Sequence, residues 1–368
     1  MSADQPLEDR IEHIELPSLP RDVAKKMSHL EEQFHRVEIE QMRKAVPLMK
    51  PLFEKRNEII SHPEVEGDFW MRVFSSAPGE IEDYILPQDA GILGQALKNL
   101  TIERFEVDAQ GNGEPRSLRF TFDFKPEDNE WFENTQLVKD FYWRKQVFKT
   151  PSGKRRTWEG LVSEPVRINW KKDADPTKGL LDAACNLADA EKKGGERTKL
   201  PEFEALVKKI AEIQAEADKA EEEEDDEDEE PESPAGTSFF SFFGYRGRDV
   251  SVEESKQASK EEDERYAKIL KGEEVDDEDE DDDEEDLDLI DELQDVEIFE
   301  DGEELAIAIS EDLYTNAMKY YAQSFELGDD LDDLDMEELE GLEDIEEDLE
   351  EDEDEGEGQE RPRKKARN

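Results

Sequence analysis

A single cysteine, Cys185, stands among 368 residues, so no internal disulfide can form, which fits a reducing compartment. Histidine is almost as scarce. His13, His29, His35 and His62 form no HExxH and none pairs with the cysteine at ligand spacing, which argues against a zinc site. No apolar run approaches membrane-spanning length, and the acidic start "MSADQPLEDRIEH" lacks the basic head and apolar core of a signal peptide. The turns "GNG" and "SGKRR" match no phosphate-cradling loop, and there is no GxSxG. The run "DDEDEDDDEEDL" has carboxylates enough for calcium but no glycine at its sixth position, so it is not an EF-hand loop. No cofactor, metal or catalytic centre is expected. The composition describes a surface for binding rather than a pocket for chemistry.

Positive charge is the next scarcity, and it is unevenly spread. The formal net charge is −59. Met1–Leu200 carries 31 Lys and Arg against 37 Asp and Glu, a net of −6, which leaves −53 for the remainder. The first half reads as an ordinary globular sequence, the second as an acidic one with islands of order. Hydrophobic content of 34% against 42% charged residues is too polar for the whole chain to pack. Such acidity repels nucleic acid and anionic membrane and attracts basic proteins.

What is present begins with a helix. After a proline-bearing leader (1–21), Asp22 is a candidate N-cap. Val23, Met27, Leu30, Phe34, Val37 and Gln41 then follow in steps of three and four, and the stripe continues through Ala45, Leu48 and Leu52. A helix from Asp22 to Ser61 would be about 60 Å long at 1.5 Å per residue. A compact domain of this size cannot bury both ends of such a rod, so a partner helix is expected, most simply from a second copy. Pro47 and Pro51 fall inside the pattern and should kink it; the alternative is two helices meeting near Ala45–Pro51.

A second helical segment starts near Leu86 or Gln88, after "GDFWMRVFSSAPG". The period then switches to two. "NLTIERFEV", the turn "DAQGNGEP" and "RSLRFTFDF" form a hairpin with Leu118, Phe120, Phe122 and Phe124 on one face. "TQLVKDFYWRKQVF" supplies a third strand. "EPVRINWKK" is expected as the fourth, with Val166, Ile168 and Trp170 aligned. Antiparallel pairing and one apolar face to be covered by helices make this an α+β domain. Asp173–Lys199 reads as loose and "PEFEALVKKIAEIQAEADKA" as a helix. A polar stretch to Lys271 and a second acidic run follow, and "ELAIAISEDLYTNAMKYYAQSF" is the last structured candidate.

Between the acidic runs stands "TSFFSFFGYR". Phe239, Phe240, Phe242 and Phe243 cannot remain exposed beside that charge without inviting aggregation. Burying each phenylalanine stabilises by about 1.5–3 kcal/mol, enough to return the chain to a core. The cluster is therefore expected to be an anchor that closes an acidic loop; an exposed docking motif is the alternative.

Five segments in order resemble the nucleosome assembly protein family: "KPLFEKRNEII", "GDFWMRVF", "INWKKDADPTK", "SFFSFF" and "ISEDLYTNAMKYY" ahead of an acidic tail. The short lead into the long helix and "NEWFEN" resemble its SET-like branch, also called template-activating factor. Pro47 and the long Asp173–Gly236 and Arg248–Glu303 spacers depart from the family pattern. The resemblance implies a histone chaperone, not an enzyme, which binds core histones and promotes nucleosome assembly and chromatin remodelling. It implies a homodimer through helix 22–62, with Leu30, Phe34, Val37, Leu48 and Leu52 at the contact, and an earmuff domain over 63–327. Acidic disordered insertions are expected near 221–236 and 272–288, and an acidic tail over 328–368.

Histone contacts are expected at Asp123, Glu127, Asp128, Glu130, Glu133, Glu311 and Asp312, since many weak exposed carboxylates can compete with DNA without holding a histone too tightly. The basic stretch at Lys154, Arg155 and Arg156 is expected either to touch DNA or to dock the protein's own acidic loops. Regulation of a phosphatase or a histone acetyltransferase by docking is the alternative function. The terminal cluster Arg361, Arg363, Lys364, Lys365 and Arg367 reads as a nuclear import signal, with shuttling to the cytoplasm; a basic end folded back on the acidic tail is the other reading.

Overall fold

The computed structural model describes residues 20–127, 129–149, 153, 155–223, 238–271, 273 and 296–332, with side chains described for all but 21–22, 216–223 and 326–332. Most of the leader, most of both acidic runs, the tail beyond Asp332 with its basic cluster, Asp128 and Lys154 lie outside the described residues; 221–223 and 328–332, expected as disordered, are helical.

Helix α1 spans Arg21–Ile60 as one continuous element of 40 residues, with Pro47 and Pro51 inside it. It begins directly behind Pro20, so Asp22 lies within the helix and is not its cap. Short helices α2 (Phe69–Phe74) and α3 (Gly79–Glu82) precede α4 (Pro87–Ala96). "GDFWMRVF", which carried only a family resemblance, thus forms a helix whose Phe69, Trp70, Val73 and Phe74 are buried.

The sheet is four-stranded and antiparallel in the order β1-β2-β3-β4. Strand β1 is Leu97–Glu103, β2 Leu118–Phe124, β3 Gln136–Lys149 and β4 Arg155–Ser163. In β2, Leu118, Phe120, Phe122 and Phe124 all face the core, as the alternation implies. The fourth strand corrects the sequence reading. β4 is "RRTWEGLVS", which returns beside β3 with Lys149 opposite Arg155. The segment 164–172 is irregular, because Pro165 has no N–H and three of the other N–H groups bond away from β4. Val166 N donates to Phe243 O (2.8 Å) and Lys171 N to Trp131 O (2.7 Å). Asn169 N donates to the Asn134 side chain (2.7 Å). Ile168 is nonetheless buried, with Val166 and Trp170 packed against the core.

Two further helices stand where the sequence reads as loose or polar. Helix α5, Leu180–Glu191, buries Leu180, Leu181, Ala184, Cys185 and Leu187. Burial pushes the Cys185 thiol up to about 11, so it is an inert core residue rather than a nucleophile. Helix α6 is Pro201–Glu223. Helix α7, Val252–Leu270, buries only Ala258 and starts with a reciprocal capping box between Ser251 and Glu254. Helix α8 (Gly302–Ala308), a π turn over Ile309–Leu313 and α9 (Ala317–Asp332) complete the body.

All four phenylalanines of the return segment are fully buried in a 3-10 turn, Phe239–Gly244. Phe242 alone lies 5.6 Å from Phe120 and 5.2 Å from Phe141, centroid to centroid. Three polar side chains, buried Asp89 and Lys139 and half-buried Glu297, fasten this segment. Asp89 accepts from Ser238 Oγ (2.5 Å) and Phe239 N (2.8 Å). Lys139, inward-facing on β3, donates to the carbonyls of Glu164 (2.9 Å), Phe243 (3.1 Å) and Tyr245 (2.6 Å). Glu297 accepts from the N–H groups of Arg246 and Gly247, each at 3.0 Å. Gly247 has φ +69°, and a Cβ there would meet Leu161 O at 2.6 Å, so only glycine fits.

Candidate interaction surfaces

Helix α1 uses one side to hold the body. Phe53 packs against Tyr314 at 4.9 Å between centroids. Beside them the Arg56 guanidinium, 4% exposed, lies 4.1 Å from the Tyr314 ring and donates to the Tyr314 carbonyl. Arg43 donates to Gly113 O (2.7 Å), and Arg36 pairs with Asp263 of α7 (2.8 Å). The other side of α1 is apolar and uncovered. Leu30, Phe34, Val37, Leu48 and Leu52 are 50–71% exposed, and Val23, Met27 and Ile59 extend the stripe. Leu30 and Leu52, Phe34 and Leu48, and Val23 and Ile59 are all placed symmetrically about Gln41.

The acidic residues fall into two groups. Asp123, half-buried, lies in β2 opposite Asn99 and accepts from Gln136 Nε2 (2.7 Å). Glu127, Glu130 and Glu133 are exposed on the following loop. That loop is pinned from within: Asn129 Oδ1 accepts from Trp131 N and Phe132 N, Lys171 Nζ donates to Asn129 O (2.6 Å), and Phe132 bridges Trp170. The 169–171 segment misread as strand therefore braces the acidic loop.

Glu311 and Asp312 do not join that loop. Glu311 pairs with Arg104, just past the far end of β1, at 2.9 Å. Asp312 accepts from Tyr320 OH at 2.6 Å. Burial, Asp312 and Glu80 push the Tyr320 hydroxyl up to about 12. Tyr84 behaves alike. Its hydroxyl donates to Asp301 (2.9 Å) and is raised to about 12 by burial, Asp301, Glu304 and Asp83. Asp83 thus shares an acidic field with Asp301 and Glu304 about Tyr84, as Glu80 does with Asp312 about Tyr320, and Glu82 and Glu300 stand exposed next to them in the chain. Sequence reasoning missed this second surface, because "GEIEDY" and "EDGEE" lie more than two hundred residues apart.

The basic hairpin is largely neutralised in place. Arg144 pairs with Glu106 (3.3 Å), Lys145 with Glu159 (3.1 Å) and Arg155 with Glu262 of α7. Arg155 and Arg156 lie inside β4 rather than in a turn. Among the described residues no cluster of His, Cys, Asp or Glu is arranged to hold a metal ion, and no helix is long and apolar enough to cross a membrane.

The long helix thus carries an uncovered apolar face, with an α+β body fastened to its other side and acidic residues exposed on that body. The nucleosome assembly protein (NAP) family model matches residues 19–324, and the chain belongs to that family. A Schizosaccharomyces pombe protein, C36B7.08c, whose name assigns it to the nucleosome assembly proteins, is 33% identical over 155 residues. The match covers 42% of this chain and 58% of that protein, so the chain spans little more than half the relative's length. Among solved structures, Ccp1 is 24% identical, covering 83% of this chain and 96% of that one, with a TM-score of 0.46. The nucleosome assembly protein S of Plasmodium falciparum is 28% identical over 42% of this chain and 74% of its own, with a TM-score of 0.27.

Proposed function

We propose that this protein is a histone chaperone, a homodimer through α1 that binds core histones by its acidic surfaces and promotes nucleosome assembly and chromatin remodelling. The observation that carries the reading is family membership across residues 19–324, in a chain of net charge −59 with Glu80, Glu82, Asp83, Glu127, Glu130 and Glu133 exposed on its body. Histones are rich in Lys and Arg and collapse onto DNA by releasing counterions. Individually weak, salt-screened carboxylate contacts compete with phosphate while leaving the histone able to depart. Two surfaces supply them: the Asp123–Glu133 loop, and the field of Glu80, Glu82, Asp83, Glu300, Glu304 and Asp312.

The symmetric stripe about Gln41 supports an antiparallel pairing in which Leu30 of one helix meets Leu52 of the other. DNA contact through the hairpin is the weaker reading, since Arg155 is already paired with Glu262. Docking to a histone acetyltransferase or a phosphatase rests on the SET-like resemblance alone. The C-terminal basic cluster supports nuclear import and shuttling, tested by Lys364→Ala and Lys365→Ala with a fluorescent fusion. The function itself is tested by nucleosome deposition with purified core histones. A chain that binds histones but deposits none is a store rather than an assembly factor, and one that binds none refutes the proposal.

A further inference from the structure

Arg248 is out of place in so acidic a protein. Its guanidinium lies over two rings of the β3–β4 hairpin, 5.4 Å from the Phe148 centroid and 5.1 Å from that of Trp158. These rings share a face, because Phe148 stands opposite Arg156 and Trp158 opposite Gln146 in the ladder. The side chain is half-buried, and burial lowers its pKa, with no anion among the described residues to offset this. Among the described residues it has no hydrogen bond and no ion pair. Of the nearby carboxylates, exposed Glu253 makes no contact with it, and three others are engaged elsewhere. Asp249 faces Arg246 (3.6 Å), Glu254 caps Ser251, and Glu297 binds the N–H groups of Arg246 and Gly247. One residue beyond Phe148, Lys149 is exposed and also has no partner among the described residues.

We propose that Arg248, clasped by Phe148 and Trp158, is a binding subsite for the carboxylate of an acidic peptide, with Lys149 adding positive charge beside it. The two rings hold the guanidinium plane by cation–π attraction, so little side-chain freedom is lost when a ligand arrives. A planar guanidinium with free N–H groups matches a carboxylate with two parallel hydrogen bonds. The protein's own field opposes a diffusing phosphate dianion. Carboxylates differ because this polypeptide carries 106 of them, and tethering supplies a high effective concentration that an ion from solution lacks. A protein built to hold cations thus has one place that accepts its own kind of charge. The same subsite accepts an acidic stretch from another protein.

The test is zero-length cross-linking of the full chain carrying Arg248→Lys. A carbodiimide joins the new amine to a carboxylate that touches it, and mass spectrometry reads which one. The expected product links position 248 to an Asp or Glu of an acidic stretch, with yield falling at least about threefold in 1 M salt, as for an exposed ion pair. A labelled peptide with the sequence of residues 276–286, added in excess, distinguishes the sources: its capture at position 248 marks binding in trans, its exclusion binding within the chain. The second variant, Arg248→Gln, should retain the fold, checked by circular dichroism, and lower carbodiimide coupling of Lys149 by about threefold. Cross-linking at position 248 no greater than at exposed Lys319 would overturn the proposal. So would suppression by inorganic phosphate at concentrations where acetate has no effect, which marks a phosphate site instead.

Discussion

Lys139 Nζ lies 2.6 Å from the carbonyl oxygen of Tyr245, an ammonium carried by the middle of the sheet and spent on the backbone of a segment a hundred residues later. Together with the carbonyls of Glu164 and Phe243 it meets three acceptors, the number an ammonium can satisfy. This contact joins the return segment to β3 with a direction that phenylalanine packing alone does not supply. Lys139→Met should leave the Glu164 and Tyr245 carbonyls without this donor and destabilise the fold by about 2–4 kcal/mol, read as a lower urea midpoint with an unchanged slope. A midpoint equal to wild type would show that the aromatic cluster suffices.

The same lysine predicts a pH dependence. Burial lowers its pKa from 10.5 to about 7, opposed by Glu297, Cys185, Glu164 and Asp140. Between those values the unfolded chain binds the proton that the folded chain has released, so stability should rise with pH from about 7 to about 10.5. The slope contributed approaches about 1.4 kcal/mol per pH unit at most. Glu297, raised by burial, works in the opposite sense above the ordinary carboxylate range, so the informative quantity is wild type minus Lys139→Met across the pH series. A flat difference between pH 7 and 10 would mean the lysine keeps its proton throughout.

Phe242→Ala should cost about 3–5 kcal/mol, because its ring is fully buried between Phe120, Phe141 and Phe299 and the cavity left has rigid walls. Thermal unfolding by calorimetry measures this directly. A loss under about 1 kcal/mol would mean the segment is docked loosely.

Replacing Leu30, Phe34 and Val37 together with Glu should leave the body folded, since all three are at least half exposed and none belongs to the core. The mass by light scattering should fall from twice 42.6 kDa to once that value. A variant that stays at the doubled mass places the contact elsewhere, and a monomeric wild type at micromolar concentration removes the dimer altogether.

Neutralising Glu80, Glu82, Asp83, Glu300 and Glu304 to Gln or Asn should weaken histone binding by about tenfold at low salt and much less at high salt. Equal affinity at low salt would remove this surface from the account. The matching change at Glu127, Glu130 and Glu133 tells whether the two surfaces act together.

The sequence makes much of this architecture legible, and where it does not, the reason is physical. Three strands show clear periods because each buries one face, and the long helix because its apolar residues line one uncovered face. β4 hides because its inward positions do not meet an apolar core along their length. Leu161 does, but Glu159, on the same face, sits among His35, Arg116 and Lys145. The false strand at 164–172 alternates because Val166, Ile168 and Trp170 do face the core, though through a backbone bonded to loops. Helix α7 has no apolar stripe, being held largely by Arg36, Arg155 and Ser255 contacts, yet its Ser251–Glu254 capping box stands plainly in the sequence. Of the candidate acidic residues, those on the loop after β2 fall together. The field around Tyr84 and Tyr320 is a product of folding that no local pattern announces.

The central claim is that this chain carries core histones to DNA. The direct measurement is deposition of purified core histones onto closed circular DNA at physiological salt, read as supercoils gained per circle, with the full chain as the only added protein. The account predicts supercoiling that rises with chaperone concentration and falls when the acidic surfaces are neutralised. Histones that precipitate with the DNA as they do without the protein, leaving the circles relaxed, would contradict it.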